Sequence, residues 1–539
     1  MGKSGSLPRW QLCRGISGSF RVEWVAGFVW NQWQPWSGIR TLKVNGGRLG
    51  IMPFELSTVF DDTVEIPKGV ALDLHGSTVD FQIDGAIRAF DIKTKSKIYN
   101  GTVTVNGTTA SGGGDKHAPV SGGDQSTGTG ISKAKVYDLT VNTNRSNGNG
   151  VVLFGDSVGC EIYNITIPDS PTIGRCVALE WGGSEPGPTG HPHNCKIYNI
   201  NAGALSFGAG AGSNAYVAWL SSAFNITVEN IYADSCYGVL GVFTGDRSND
   251  GAPARYKNMI GRGITADNIT CEDVKKYGVR CYGKGSDSSN LLPQSVVVTN
   301  PVLRADGTIT DAIGVLCEFT DDVQIVNPDI SGFQTGVATG QEAKNLKVIG
   351  GKVWGNRASG ISYGSGAGGV AGCSVDGTSL YLNNQGGFAG VGGAAAIFIQ
   401  NCSRWSVNNC KFGDDAGETQ QYSVRIESTA PDGKLNNNHT FGLAAGGVAY
   451  VNGSSTDYDL GTTGENNTAA AGLTGFGGAP IYQVDWLGRK QFLISGASAP
   501  VSGTWQQGDR CFYSAPSPGG YIGSVYTSSG WRGFGQLQS

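Results

Sequence analysis

The chain is 539 residues long, with 39 Lys and Arg against 43 Asp and Glu, so its formal net charge is −4. The basic residues are scattered, which argues against a nucleic-acid partner, and no run approaches the ~18 consecutive apolar residues of a spanning helix, which argues against membrane insertion. Glycine is abundant, at 86 residues, but aromatic and β-branched residues are too frequent for disorder, so the glycines read as turns in a fold too long for one ordinary core.

Residues 1–55 follow no repeat. They begin MGKSGSLPRWQ, which is not the basic, apolar, small-residue order of a secretory signal, and they carry Trp10, Trp24, Trp30, Trp33 and Trp36. The expectation is an N-terminal cap or attachment segment. From about Thr63 the text turns regular, with TVEIPKGVALDLHGSTVDF joining two short strands through a Pro-Lys-Gly turn.

Residues 56–455 repeat themselves. CEIYNITI at 160–167 returns as CKIYNINA at 195–202, and the same reduced pattern aligns on Gly76, Asn100, Asp138, Asn164, Asn199, Asn230, Asn268, Asn300, Asn327, Gly350 and, less clearly, Asp376, Asn409 and Asn437. Four residues upstream stands an apolar column, Ala134, Cys160, Cys195, Ile226, Ile264, Val296, Val323 and Leu346. Two upstream stands another, Val136, Ile162, Ile197, Val228, Ala266, Val298, Ile325 and Val348. The residue between them is free in type, the period-2 mark of a strand with one buried face. Most units add a second strand opening on Gly-Val or its like, such as GVVLFG, CVALEWG and YGVRCYG. Several short strands per repeat, separated by Gly, Asn, Asp and Ser, predict an all-β fold, a right-handed single-stranded parallel β-helix. Asn suits the marked position because it tolerates a left-handed corner and its amide can bond to the amide of the next coil.

The twelve cysteines fit the same fold. Cys160 and Cys195 share one inward column, Cys281 and Cys317 another, and no spacing matches a metal site, so they read as reduced core thiols. Residues 456–480 are rich in Gly and Ala and read as a linker, and residues 481–539 as a compact aromatic β module. That module has two readings, glycan binding or closing of a trimer. The exposed strand edges of a solenoid end favour the second.

The stretch IPKGVALDLHGSTVDF, the Asn-marked coils, the segment ALEWGGSEPGPTGHPHNC and the terminal GTWQQGDRCFYSAPSPGGYIGSVYTSSGWRGFG together resemble bacteriophage tailspike depolymerases, pectate-lyase-like β-helix proteins that degrade bacterial surface glycans. The likeness covers roughly residues 60–539. It implies a homotrimer, contact with phage tail or baseplate proteins, assembly in the host cytoplasm and cleavage of a capsular or exopolysaccharide. It carries over no catalytic residue by name.

Candidate chemistry comes from the residues themselves. Counted from the Gly-Val position, the fourth residue of the recurrent strand is expected to point outward: Phe154, Glu180, Leu220, Val242, Tyr282, Glu318, and so on to Glu427. Glu180 then lies on an apolar face, where a carboxyl tends to hold its proton and suits a general acid. Behind it an insertion carries Trp181, Glu185, His191 and His193, and two coils later another carries Asp246, Arg247, Asp250 and Arg255. Two coils of about 4.8 Å put the roots of these insertions about 10 Å apart, compatible with the ~5–9.5 Å carboxyl separation of glycosidases. Glu180 with Asp246 is the first candidate pair. Glu318, with Arg280 on the preceding coil and Tyr282 beside it, is the next, about four rungs or 19 Å from Glu180. No third ligand accompanies His191 and His193, so no metal is expected, and hydrolysis needs no cofactor.

Each residue also has a plainer role open to it: Glu beside Arg280 or Arg425 as a surface ion pair, the histidines as loop hydrogen bonders, Asp246 and Asp250 as turn formers, Trp181 as packing. Three functions remain open at this point. They are an endo-acting hydrolase, a polysaccharide lyase using Arg247, Arg255 or Arg280 against a uronate, and an adhesin that binds glycan without cutting it.

Overall fold

The computed structural model describes residues 48–50 and 59–452, apart from position 61, the loops 85–87, 108–117, 145–147, 171–172, 183–189, 206–214, 245–260, 284–293, 365–368, 389–391, 414–417 and 446–447, and position 428. It also describes short strands between 463 and 484, and residues 487–538 apart from 495–496 and 502. Trp10, Trp24, Trp30, Trp33, Trp36, Glu185, Asp246, Arg247, Asp250 and Arg255, singled out above, lie outside the described residues.

The repeats wind as a parallel β-helix of 39 strands in which each strand pairs with its counterpart in the next coil. Three ladders run side by side. One climbs from Arg48–Gly50 to Thr463–Glu465, a second from Val59–Phe60 to Thr468–Ala469, and a third from Val64–Ile66 to Phe476–Gly478. The octets are neighbours in the first and second: Ile162 pairs with Ile197 and Ile165 with Ile200, with Tyr163 against Tyr198. Both apolar columns face inward, each residue at 2 % exposure or less. Each Val, Leu or Ile among them contributes about 1.5–3 kcal/mol by burial.

The marked column is the corner between the first two ladders. Asn100, Asp138, Asn164, Asn199, Asn230, Asn268, Asn300, Asn327, Asn409 and Asn437 all hold φ between 52° and 62°. Amides link the coils, Asn199 donating to Asn164 at 2.9 Å, Asn230 to Asn199 at 3.0 Å and Asn268 to Asn230 at 3.1 Å. One assignment shifts: the corner below Gly350 is Gly377, at φ 67°, because Asp376 is the strand residue paired with Ile349. Replacing Asn199 by Ala is expected to cost about 2–3 kcal/mol, from the left-handed backbone and two lost amide bonds. Asn199→Gly keeps the backbone and loses only the amide, so its thermal midpoint is expected to fall by a smaller amount.

Beside this corner, Tyr99, Tyr137, Tyr163 and Tyr198 stack with centroids 4.7, 4.8 and 4.6 Å apart and planes within 7°. The rung spacing brings the rings into contact, and each pair adds about 0.5–1.5 kcal/mol. The eleven described cysteines are buried and free, Cys236 and Cys271 approaching to 3.4 Å between sulfurs without a bond. Burial raises the Cys410 thiol to about 12, which keeps it protonated and unreactive.

The ladders run further than the repeat text. Thr463–Glu465, Thr468–Ala469 and Phe476–Gly478 pair with the preceding coil, so another turn occupies part of the Gly- and Ala-rich passage expected to be a linker. A separate five-stranded sheet follows, from Gln483–Val484 to Gly530–Gln536. Its core is Phe492 and Cys511, against which Trp505, Tyr513 and Trp531 pack. The Gly-Asp of its motif also has a structural use: Asp509 is fully buried and accepts the backbone N–H of Lys490 and of Gln506, both at 2.8 Å. Two charge-assisted bonds tie the turn to the neighbouring strand.

Candidate functional site

The third ladder carries the candidate residues. Its register runs from Phe154 to Glu180, then Ser221, Phe243, Tyr282 and Glu318. Leu220 and Val242, expected outward, are therefore inward, at 1 % and 0 % exposure, and Ser221 and Phe243 take their places. The slip arises because Leu240, not Val239, stands opposite Val279, and Ala218, not Val217, stands opposite Leu240.

Glu180 is buried, and its surroundings are not apolar. Arg175, five residues earlier in the same strand, donates to its Oε1, and the Arg175 guanidinium lies over the Trp219 ring at 4.2 Å. A guanidinium in contact favours the ionised carboxylate, which suits a base or nucleophile better than the acid role expected from the sequence. Trp219 stacks on Phe243 at 3.9 Å, and Tyr216 packs against both at 5.4 Å.

Two rungs above Trp219, Arg280 sits between Tyr277 and Tyr282, with its guanidinium carbon 4.7 and 4.6 Å from their centroids. Its Nη2 donates to Glu318 Oε2 at 3.0 Å. Burial pulls the Arg280 guanidinium down, but Tyr216, Tyr277 and Glu318 outweigh it and hold its pKa above the ordinary value. Glu180 and Glu318 thus each have an arginine, and four rungs separate them, about 19 Å at the usual strand spacing. Asp246 follows two residues after Thr244 in a loop outside the described residues, so its distance from Glu180 is not fixed.

The first insertion closes on itself through paired backbone bonds between Gly182 and Gly190. Trp181, at its root, is buried. His193 stacks on Phe224 at 4.7 Å with planes 3° apart, and its Nδ1 lies 3.5 Å from Asp156. Burial lowers the His191 pKa, more than the Ser222 backbone and Asp156 raise it. Both histidines serve the corner between coils. Farther toward the N-terminus, an open polar pocket is lined by Asp62, Lys68, Arg88, Asp91, Lys93 and Asp124 among others. Three of these charges are paired: Arg88 donates to Asp91 at 3.1 Å and Lys93 at 2.5 Å, while Asp124 caps its own turn through Ser126. Among the described residues no group of three or more His, Cys, Asp or Glu is placed to hold a metal ion.

Sequence reasoning missed Arg175, Tyr216, Trp219 and Tyr277. Correct register was the missing signal, since Trp219 alternates outward once Leu220 is placed inward.

No protein-family model matches the chain, and no curated protein matches it. Solved structures do. The A-module of a mannuronan C-5 epimerase from Azotobacter vinelandii is 12 % identical over 76 % of this chain and 90 % of its own, with a TM-score of 0.42. Tailspike protein 3 of bacteriophage CBA120 is 11 % identical over 93 % of this chain and 65 % of its own, also at 0.42. The tailspike of E. coli bacteriophage HK620, solved with a pentasaccharide, is 12 % identical over 79 % and 72 %, at 0.36.

Proposed function

We propose that this protein is a phage tailspike that binds and depolymerises the surface polysaccharide of its host by endo-glycosidic hydrolysis. The observation that carries the reading is the strip on the third ladder, where Trp219, Phe243 and Tyr282 lie between the Arg175–Glu180 and Arg280–Glu318 pairs. Trp219 and Phe243 are themselves buried and support the strip from beneath, while Tyr282, Arg280 and Glu318 are half-buried and are the groups that would meet an extended sugar chain. Glu180 and Glu318 are too far apart to act on one bond within a subunit, because paired carboxyls in glycosidases stand ~5–9.5 Å apart. Each therefore needs another partner, Asp246 for Glu180, or a carboxyl across a subunit contact for Glu318. The trimer, the tail partners and assembly in the host cytoplasm belong to the same proposal, with the C-terminal sheet as the trimer contact.

A lyase is the second reading, favoured by the two arginines on this face, which suit an enolate. Digesting a panel of purified capsular polysaccharides separates the three cases. Hydrolysis is expected to yield short chains with new reducing ends and no ultraviolet band of an unsaturated uronate. Products carrying that band establish the lyase, and binding without any shortening establishes the adhesin.

A further inference from the structure

We propose that a break in the amide column, at the corner between the first two ladders, is a second glycan-binding site, which holds a sugar ring of the polymer without cutting it. The proposal rests on the glycan reading above and adds to it a hold on the polymer away from the third ladder. The column reaches Asn327, whose amide donates to Asn300 at 3.4 Å. The next two corners are Gly350 and Gly377, at φ 66° and 67°. Asparagine takes the same backbone at the corners before them, so conformation does not require glycine here. The glycines end the stack. No amide follows to donate to Asn327 Oδ1, and that oxygen accepts no bond among the described residues. A Cβ on Gly350 would lie 3.0 Å from it, and one on Gly377 would come no nearer than 4.0 Å to backbone.

An open cavity of about 480 Å³ lies at this break, lined by Asn327, Asp329, Gly351, Lys352, Ser379 and Tyr381 among others. Its polar side chains are half-buried or exposed, so a ligand reaches them from solvent. One wall is fixed by Asp329, which accepts from Trp354 Nε1 at 3.0 Å and pairs with Arg304 at 2.9 Å and Lys352 at 3.2 Å. Burial pushes the Asp329 carboxyl up, but Arg304, Trp354 and Lys352 outweigh it and hold its pKa below the ordinary value. A carboxylate held so is a poor proton donor, and no second carboxylate lines the cavity, so it offers binding and not hydrolysis. Tyr381 supplies an aromatic wall, its ring stacked on Trp354 at 5.8 Å with planes 11° apart. Two groups stand ready for a ligand. Asn327 Oδ1 is an acceptor, and Ser379 Oγ, which makes no bond among the described residues, both donates and accepts. A sugar ring answers both through its hydroxyls and packs its C–H face on the aromatic wall. A long polymer that engages this corner while the third ladder holds another stretch gains from the link between the two sites.

The test uses the full chain and a panel of purified capsular polysaccharides, with affinity for the intact polymer, thermal midpoint and oligomeric mass read together. Gly350→Asn sets an amide against Asn327 Oδ1, as Asn199 does at Asn164, and closes the break. At least one polymer is expected to bind the wild type, and Gly350→Asn to weaken that binding by at least about tenfold, because the gain from a linked second site is lost. Its midpoint is expected to lie no lower than that of the wild type, since the column gains a hydrogen bond, so the lost affinity does not come from a weakened fold. Tyr381→Ala is expected to weaken binding on the same scale. Wild-type affinity in either variant overturns the site and leaves the glycan reading standing. A fall in oligomeric mass in Gly350→Asn makes this corner a contact between subunits and overturns the site as well. Failure of the wild type to bind any of the polymers overturns the glycan reading and this inference with it.

Discussion

Glu180→Gln is expected to slow depolymerisation at least about a hundredfold while glycan binding is retained, the scale on which a positioned acid, base or nucleophile acts. Glutamine keeps the shape of the side chain and an oxygen that accepts from Arg175, so the packing over Trp219 is preserved. What disappears is the charge. The same measurement on Asp246→Asn and Glu318→Gln identifies the partner. If Asp246 completes the pair, its variant falls as far as Glu180→Gln and Glu318→Gln stays near wild type. If the pair forms across subunits through Glu318, the order reverses. Shortening of the polymer at the wild-type rate in all three variants removes carboxylate catalysis from this face.

Arg175→Ala is expected to be the most destabilising single change on the third ladder. Glu180 and Arg175 have side chains 5 % and 10 % exposed, so removing the cation takes the guanidinium from a carboxylate in the wall of the helix. Breaking such a pair costs about 3–5 kcal/mol. The loss has a pH signature. A buried carboxylate that has lost its guanidinium has its folded-state pKa raised above its unfolded value of about 4.3. The folded variant then binds a proton that the unfolded chain does not, so its stability returns as pH falls through the raised value and is lost as pH rises. Thermal melts of Arg175→Ala across that range are expected to converge on the wild type toward acid pH. Replacing both partners, Arg175→Met with Glu180→Leu, is expected to recover most of the loss at neutral pH, because neither buried charge is then present. A midpoint independent of pH in Arg175→Ala shows that Glu180 finds another partner, and the reading of this pair then fails.

The architecture was legible because one corner selects its residue type. Left-handed backbone is costly for most side chains and mild for Asn, Asp and Gly, so the corner between the first two ladders wrote itself into the text from Gly76 to Asn437. The inward columns were equally plain, since alternation survives wherever one face of a strand is wet. A second corner, five residues before the first, left a weaker mark. Lys95, Lys133, Gly159, Asn194, Asn225, Gly263, Ser295, Asp322, Asn345, Gly372, Arg404 and Asp432 all hold positive φ there, and although Asn, Asp and Gly prevail, Lys95, Lys133, Ser295 and Arg404 break the column. At those four positions stacking against the coils above and below holds the conformation against the local preference.

The site lay at the edge of what could be read. Glu180, Glu318, Arg280 and Tyr282 were found because the third ladder keeps period 2 through most coils. The period fails at residues 215–220, which are buried without a break, and there Trp219 was lost. Composition and spacing by themselves determined the winding, the thiol core and the face on which acids appear. Only the tertiary structure decided that Arg175 reaches Glu180, that Trp219 stacks on Phe243, and that Glu180 and Glu318 stand four rungs apart. Those relations depend on which rung each strand occupies, a choice that the stacked coils make together and that a single strand does not contain.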